Sequence, residues 1–303
     1  MARNGFTAPV EDVHPQPVAA SPTADVGRLL LRCADRPGLV AAVSTFLADA
    51  GANIVSLDQH STRNSGGTFM QRTIFHLPGL SNARDAVQRD FAANVAARFE
   101  MDFSLTEAST PKRVAIMAST ADHCLLDLLW RNRRGELDMS VHVVISNHLD
   151  LAEQVRPFGV PFVHVPAGRS DTESRQLDIL GGNVDLVILA RYMQILTPRF
   201  LEQVGCPLIN IHHSFLPSFV GAAPYRRAKE RGVKLVGATA HYVTETLDEG
   251  PIIEQDVVRV DHRHDVGDLT RLGADVERAV LSRAVLWHCE DRIIRDGNQT
   301  IVF

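Results

Sequence analysis

Apolar positions in the first third of the chain follow strand-like and helix-like spacings in turn. Residues 28–33 form an apolar run that predicts a strand, and Leu39, Val43 and Leu47 then recur at helical spacing. Similar patterns predict a helix over residues 83–99 and strands over residues 53–60, 68–77 and 101–105. The predicted order is βαββαβ, a ferredoxin-like sandwich of one sheet and two helices.

Beyond a polar segment at residues 106–112, short apolar runs alternate with helical patterns. Strands are predicted over residues 113–118, 140–146, 161–165, 184–190, 207–211 and 237–243, and helices over residues 124–130, 149–155, 172–180 and 265–294. An edge strand is predicted over residues 300–303. This alternation predicts a Rossmann-like, mostly parallel α/β sheet. The predicted organisation is a flexible leader at residues 1–26, a small domain at residues 27–106 and a larger domain at residues 112–303.

The composition narrows the class of protein. The chain has 303 residues, enough for two domains, and a net charge of −5, so no nucleic-acid partner is expected. Its four cysteines are scattered without a CxxC spacing, which is typical of a reduced, cytoplasmic protein without a structural zinc site. No apolar run reaches membrane-spanning length and residues 1–26 contain no signal-peptide core, so no membrane partner is expected.

Three polar residues mark the ends of predicted strands. Asn210 and His212 are two residues apart and therefore share one face of a strand. Asp248 follows the strand at residues 237–243, in a loop that ends at Gly250. Ligands of parallel sheets bind beyond the carboxyl ends of strands, so the three side chains are candidates for one site. An amide, an imidazole and a carboxylate can stabilise an oxyanion, carry a proton and orient its carrier.

Each of these residues also has a structural interpretation. Asn210 alone indicates a strand-end cap, His212 a structural histidine and Asp248 the start of a turn. His212, His241 and Asp248 could together suggest a metal site, although Asn210 beside His212 is poor spacing for ligands. We predict a catalytic set without a metal. The role of Asp248 as base, orienter or proton shuttle stays open.

The segment DRPGLVAAVSTFLADAGANI, residues 35–54, resembles the opening of an ACT domain, a small-molecule sensing module. The resemblance implies an amino-acid effector such as methionine or glycine, and a homo-oligomer, because ACT sheets often pair between subunits. A glycine lets the backbone approach a ligand, and a helix N-terminus favours a carboxylate. The alternative to effector binding is that Pro37-Gly38 is only a tight turn at the start of a helix. The implied effector-binding residues are Asp35, Pro37, Gly38, Leu39, Val40, Asn53 and Ile54.

Three later blocks resemble the folate-dependent formyltransferase family: VDLVILARYMQILTP, INIHHSFLPSFVGAAPYRRA and GATAHYVTETLDEGPIIEQ. The resemblance implies the catalytic set Asn210, His212 and Asp248, with a folate as substrate and no permanently bound cofactor. It also implies that backbone groups near Met193 pair with the flat pterin ring. The implied folate-binding residues are Arg191, Met193, Gln194, Ile195, Leu196, Gly221, Val243 and Thr244. The alternative interpretation of residues 191–196 is a buried strand end, followed by a helix that begins with Thr197 as N-cap and Pro198 as first residue.

With its ACT-like front, the whole chain resembles the family members that hydrolyse 10-formyltetrahydrofolate to formate and tetrahydrofolate. That reaction would supply formate for purine synthesis and balance one-carbon pools. The alternatives are formyl transfer to an amine and an inactive effector-sensing folate-binding protein. Residues 117–124 lack the glycines of a phosphate loop, and Asp122 would repel a phosphate-bearing acceptor. Residues 221–224 resemble the tRNA-formylating members instead, but the acidic balance argues against tRNA. Hydrolysis is the predicted activity.

Overall fold

The computed structural model of the chain describes residues 23–217 and 224–303. Residues 26–107 form a four-stranded antiparallel sheet covered by helices, and the βαββαβ order is confirmed. The elements are β1 (Val26–Ala34), α1 (Leu39–Asp49), β2 (Asn53–Ser61), β3 (Thr68–His76), α2 (Leu80–Phe91), a π-helical turn (Ala92–Ala96), α3 (Ala97–Phe99) and β4 (Asp102–Glu107). The strands lie in the order β2-β3-β1-β4, which leaves β2 as an outer strand.

Helices cover one face of this first sheet because apolar residues alternate along β1 and recur along α1. Leu29 and Leu31 of β1 pack into one core with Leu39, Val43 and Leu47 of α1. Burying each such side chain contributes roughly 1.5–3 kcal/mol relative to leaving it exposed. The second helical stretch begins at Leu80, earlier than the sequence pattern predicts.

Residues 112–259 form the second sheet, which has seven strands. Its strands are β5 (Lys112–Ala118), β6 (Met139–Ser146), β7 (Phe162–His164), β8 (Leu186–Leu189), β9 (Leu208–His212), β10 (Leu235–Tyr242) and β11 (Ile252–Arg259). Their order is β11-β10-β9-β8-β5-β6-β7, with β5 to β9 parallel and β10 and β11 antiparallel. The predicted mostly parallel sheet is confirmed, and β11 is a strand that the sequence patterns missed.

Helices pack on both faces of the second sheet. They are α4 (His123–Arg133), α5 (Ala152–Val155), a 3-10 turn (Arg156–Phe158), α6 (Thr172–Leu180), α7 (Pro198–Gln203), α8 (Pro224–Arg231) and α9 (Val266–Cys289). Ile209 and Ile211 of β9 face the core that contains α4 and α9, whereas Leu208 faces the core that contains α6 and α7. Asn210 and His212 therefore lie on the α6 and α7 side of the sheet.

The end of the chain differs from its prediction. The helix predicted over residues 265–294 ends at Cys289, and residues 300–303 do not form an edge strand of the large sheet. Instead β12 (Ile293–Asp296) and β13 (Gln299–Val302) pair as a separate hairpin. The two-residue loop Gly297-Asn298 is a hairpin signal, and Gly297 has a φ of 60°. Along the described chain, no helix has the length and apolarity to cross a membrane.

Asp291 joins the two sheets just after α9 ends. Its carboxylate lies 2.6 Å from Lys112 Nζ, 2.7 Å from Thr106 Oγ1 and 3.5 Å from Arg28 Nη1. Its backbone carbonyl accepts a 2.8 Å hydrogen bond from Arg72 Nε. Because Arg28 and Arg72 belong to β1 and β3, the first sheet is docked directly onto the end of α9.

Candidate functional site

Asn210 and His212 line a cavity of about 310 Å³ beside β9. The loop after β8 and the loop after β10 form its two walls. The lining residues include Arg191, Met193, Gln194, Ile195, Leu196, His213, His241, Val243, Thr244, Leu247 and Asp248. The cavity therefore contains the predicted catalytic trio and every predicted folate-binding residue within the described ranges. The predicted residue Gly221 lies outside the described residues.

Asp248 contacts His212, so the structure brings the predicted trio together. Asp248 Oδ2 lies 3.3 Å from His212 Nδ1, and both side chains are buried. The hydrogen bond from His212 holds the pKa of Asp248 below its ordinary value, so this carboxylate is ionised at neutral pH. With Nδ1 turned to Asp248, His212 Nε2 is buried and has no hydrogen-bond partner among the described residues. That nitrogen is available to a ligand in the cavity.

A close approach at Gly250 folds the Asp248 loop back onto β10. Tyr242 N donates a 2.9 Å hydrogen bond to the carbonyl oxygen of Pro251, which closes the loop. A Cβ at position 250 would lie 1.8 Å from the Tyr242 carbonyl oxygen, which is rigid backbone. Asp248 itself has a φ of 59°, a conformation that asparagine and aspartate tolerate better than most residues. The contact between His212 and Asp248 therefore depends on this tight return.

The wall after β8 is held by Ser119, the residue that follows β5. Ser119 Oγ accepts a 2.9 Å hydrogen bond from Met193 N and donates to Asn147 Oδ1 at 2.8 Å. The carbonyl of Met193 accepts from Gln194 Nε2. The peptide groups of Met193, expected to pair with a pterin ring, are thus already engaged. The predicted start of α7 is confirmed, because Thr197 Oγ1 accepts from Phe200 N at 3.2 Å and Pro198 follows as the first helical residue.

Apolar side chains stand exposed around the cavity. Met193 is 57% exposed, Ile195 76% and Leu247 57%. Exposed apolar residues gathered at a cavity mark a ligand-binding surface more often than single surface residues do. The donor atoms Nε and Nη1 of Arg191 are buried beside them, and neither hydrogen-bonds to a described residue. The arrangement suits a flat, partly apolar ligand that also carries hydrogen-bond acceptors.

Two further histidines lie in the cavity wall. His241 Nε2 lies 3.2 Å from Asn210 Nδ2, although the sequence analysis considered His241 only as a possible metal ligand. His213 follows the last residue of β9, and burial lowers its pKa to about 4, so it is neutral at neutral pH. Sequence reasoning missed the contact between His241 and Asn210. It depends on how β10 pairs with β9, and the sequence patterns do not give the register of two strands.

A buried carboxylate in α9 organises the far side of the site, and the sequence patterns did not indicate it. Glu277 Oε1 accepts from the Tyr225 hydroxyl at 2.6 Å, and Glu277 Oε2 lies 2.8 Å from His123 Nε2. Arg191 Nη1 lies 3.4 Å from the same oxygen. The ring of Tyr225 in turn lies edge-on to His213, with centroids 6.0 Å apart. The network ties α4, α8 and α9 to the loop that carries Arg191.

His123, Cys124 and Glu277 lie close enough together to be considered as metal ligands. Their chemistry does not suit that role. Burial raises the pKa of the Cys124 thiol well above its ordinary value, so it stays protonated. Both carboxylate oxygens of Glu277 already have hydrogen-bond partners, and the Arg191 cation lies beside them.

Comparison with known proteins identifies the family. A family model described as formyl transferase matches residues 112–285, and one described as ACT domain matches residues 27–89. A protein of Mycobacterium tuberculosis strain H37Rv named formyltetrahydrofolate deformylase is 75% identical over 283 residues, 92% of this chain and 91% of that protein. The chain belongs to the formyltetrahydrofolate deformylase family.

Other members of the deformylase family are similar over both domains. The Bacillus subtilis protein of that name is 51% identical over 283 residues, covering 92% of this chain and 94% of that protein. The crystal structure of a formyltetrahydrofolate deformylase from Pseudomonas syringae pv. tomato matches with a TM-score of 0.85 and 46% identity, covering 92% of this chain and 94% of that one. The expected ACT-like domain followed by a formyltransferase-like domain is therefore confirmed.

The predicted effector residues are not gathered within one chain. Gly38, with a φ of 94°, opens α1 next to the end of β1, together with Asp35, Pro37, Leu39 and Val40. Asn53 and Ile54 start β2, and Asn53 pairs with His76 at one end of β3, whereas Ala34 pairs with Thr68 at the other end. The two groups are therefore roughly 26 Å apart along the sheet.

The Gly250 approach gives a prediction for Asp248. Gly250→Ala should displace the loop, because its Cβ would meet the Tyr242 carbonyl oxygen, and so separate Asp248 from His212. The pKa of Asp248 should then rise toward its ordinary value of 3.8, as read from a carboxyl ¹³C NMR titration. Gly267→Ala is the control, since its Cβ would meet only the end of the Asp265 side chain. An unchanged Asp248 titration in Gly250→Ala would refute the dependence.

Proposed function

We propose that the protein hydrolyses 10-formyltetrahydrofolate to formate and tetrahydrofolate. The observation that carries this proposal is the contact between Asp248 and His212 beside Asn210, in a cavity with an exposed apolar wall. The names of the similar proteins agree with this activity. The folate is a substrate here, and the released formate would feed purine synthesis and one-carbon balance.

The proposed chemistry is attack of water on the formyl carbon. The carbonyl oxygen gains negative charge as the tetrahedral intermediate forms. Asn210 donates an N–H to that oxygen, and His212 in its imidazolium form donates Nε2–H. Each such donor contributes on the order of 3 kcal/mol to the transition state. The intermediate then expels N10 of the folate, which takes up a proton, and the C–N bond breaks to leave formate.

Asp248 has three proposed roles in this sequence. Its ionised carboxylate orients His212 through Nδ1, which directs Nε2 to the substrate. It is also the ionised acceptor beside the cavity, and it can take a proton from the attacking water and return it to N10. A single carboxylate that orients His212, takes a proton from water and returns it to N10 would fill all three roles that the sequence left open: orienter, base and shuttle.

The folate is proposed to lie between the two walls of the cavity. Gln194, Ile195 and Leu196 would offer peptide groups to the pterin ring, with Val243 and Thr244 on the opposite wall. Met193 would contribute its exposed side chain, because its peptide groups bond to Ser119 and Gln194. Arg191 would direct its buried Nε donor to an oxygen of the substrate, while Nη1 stays beside Glu277.

The far side of the site favours water over an amine acceptor. His123 belongs to the segment that carries a phosphate loop in the transferring members of the family, and here it is bonded to Glu277. Tyr225 and Arg191 fill the space around the same carboxylate. An acceptor with a phosphate would have to displace this buried network around Glu277, which is costly because it leaves charged groups unpaired.

Purified protein should release one formate per folate with no amine present. Enzymatic formate detection and the absorbance of tetrahydrofolate measure the two products. Asp248→Asn should lower kcat at least about 100-fold, because proton transfer is lost, while folate binding persists. Asp261→Asn, an exposed carboxylate away from the cavity, is the control. Formate that appears only after an amine is added would overturn the proposal.

We further propose that residues 27–106 regulate residues 112–303 through a bound amino acid, methionine or glycine. β2 is an outer strand, so its edge can pair with a second copy of the chain. Two copies related by a two-fold axis pair antiparallel, which would bring Asn53 of one copy toward the Gly38 end of the other. The contact between Asp291 and the first sheet offers a route from that site to α9.

Methionine or glycine should give a binding heat with the full-length protein and change its rate of formate release. Gly38→Ala should weaken that response at least about tenfold, since the left-handed φ of 94° strains a side chain at the site. Gly79→Ala is a matched control, because Gly79 also opens a helix of this domain with positive φ and open space around it. A response unaffected by Gly38→Ala, or no response in the unmodified protein, would reject this site. Light scattering tests for the homo-oligomer.

A further inference from the structure

His241 is the cross-strand neighbour of Asn210. β10 runs antiparallel to β9, and the register pairs His241 directly with Asn210. Directly opposed residues put their side chains on the same face, with Cβ atoms about 4.5–5.5 Å apart. The side chains meet, with 3.2 Å between Asn210 Nδ2 and His241 Nε2. His241 is 2% exposed, so water does not compete for this contact.

The surroundings of His241 fix which of its nitrogens carries the proton. His241 Nδ1 lies 2.9 Å from the backbone carbonyl oxygen of Tyr242, which can only accept, so Nδ1 must donate. Burial lowers the pKa of His241, so the ring is neutral at neutral pH and Nε2 is a bare acceptor. The groups that face the ring are Asn210 and His212 from β9 and Asp248 from the loop after β10. On β11 its register partner is the uncharged Ile252.

This tautomer determines how the Asn210 amide is turned. A bare Nε2 requires a donor, and the nearest oxygen of Asp248, at 3.8 Å, is too far to form a hydrogen bond. Asn210 must therefore present its NH₂ group, not its carbonyl oxygen, to the ring. One N–H is used on His241 and the second remains for the cavity. The reversed amide would present an oxygen to the developing oxyanion and repel it.

We propose that His241 is a positioning residue, which holds the Asn210 amide with its N–H toward the formyl oxygen. This inference rests on the proposed hydrolysis, in which Asn210 is an oxyanion donor. His241 itself does not touch the reacting atoms. Its contribution is that the donor is aligned before the substrate binds, which is the condition for strong electrostatic stabilisation of a transition state.

Replacement of His241 should lower kcat much more than it changes KM. In His241→Leu no acceptor fixes the amide, and kcat should fall on the order of 100-fold, as for loss of one oxyanion donor. In His241→Gln the side-chain oxygen can accept in place of Nε2 and should restore at least about a tenth of the wild-type kcat. His288→Leu is the control, because His288 bonds to the Tyr242 hydroxyl on the other face of β10 and should keep the wild-type kcat.

A double-mutant cycle separates a positioning role from general damage. In an Asn210→Ala background, His241→Leu should lower kcat little further, because the amide that His241 positions is already gone. The inference would be overturned if His241→Leu lowered kcat by the same factor in both backgrounds, or if His241→Gln had no higher kcat than His241→Leu. If the unmodified protein releases no formate, the proposed function itself fails. Long-range ¹⁵N NMR of the unmodified protein provides a readout without turnover: a protonated Nδ1 supports the proposal and a protonated Nε2 overturns it.

Discussion

The contact between His212 and Asp248 is the interaction on which the site depends. It joins a strand of the parallel part of the sheet to a loop that follows an antiparallel strand. The two are 36 residues apart in sequence by their numbers, and only the return at Gly250 brings them together. The antiparallel addition at this edge matters for a second reason. It places His241 directly opposite Asn210. A parallel neighbouring strand would need a helical crossover, and so a longer connection, to reach this position.

α9 connects the remaining parts of the molecule to that site. Glu277 in its middle bonds to Tyr225 and His123 near the cavity, and Asp291 just beyond its end holds the first sheet. A buried carboxylate is tolerated only when its oxygens are bonded, so Glu277 requires its partners to stay in place. A small movement of the first sheet would therefore act on the same helix that fixes the far wall of the site. This is a contiguous physical connection between the ACT domain and the formyl transferase domain.

The sequence was sufficient to predict that Asn210, His212 and Asp248 lie in one site, because Asn210 and His212 share a strand face and the surrounding blocks are specific. Apolar spacing predicted the order of elements in the first domain and the alternating parallel strands and helices of the second, but it missed β11. The role of His241 was not predictable, because it depends on a register set by the whole sheet. Glu277 was hidden in a long helical pattern, where a charged residue is usually assigned to the solvent side. The end of α9 was misjudged because Asp291 is held by residues far away in sequence.

Two histidines on one face of the sheet receive different tasks from their surroundings. His212 directs Nδ1 to an ionised carboxylate, which leaves Nε2 for the substrate. His241 directs Nδ1 to a neutral carbonyl, and burial keeps its ring uncharged. A charged ring at position 241 could not accept from Asn210 and would turn the amide the wrong way. The site thus combines a proton carrier with a fixed acceptor, and the difference lies in whether a carboxylate or a carbonyl meets each Nδ1.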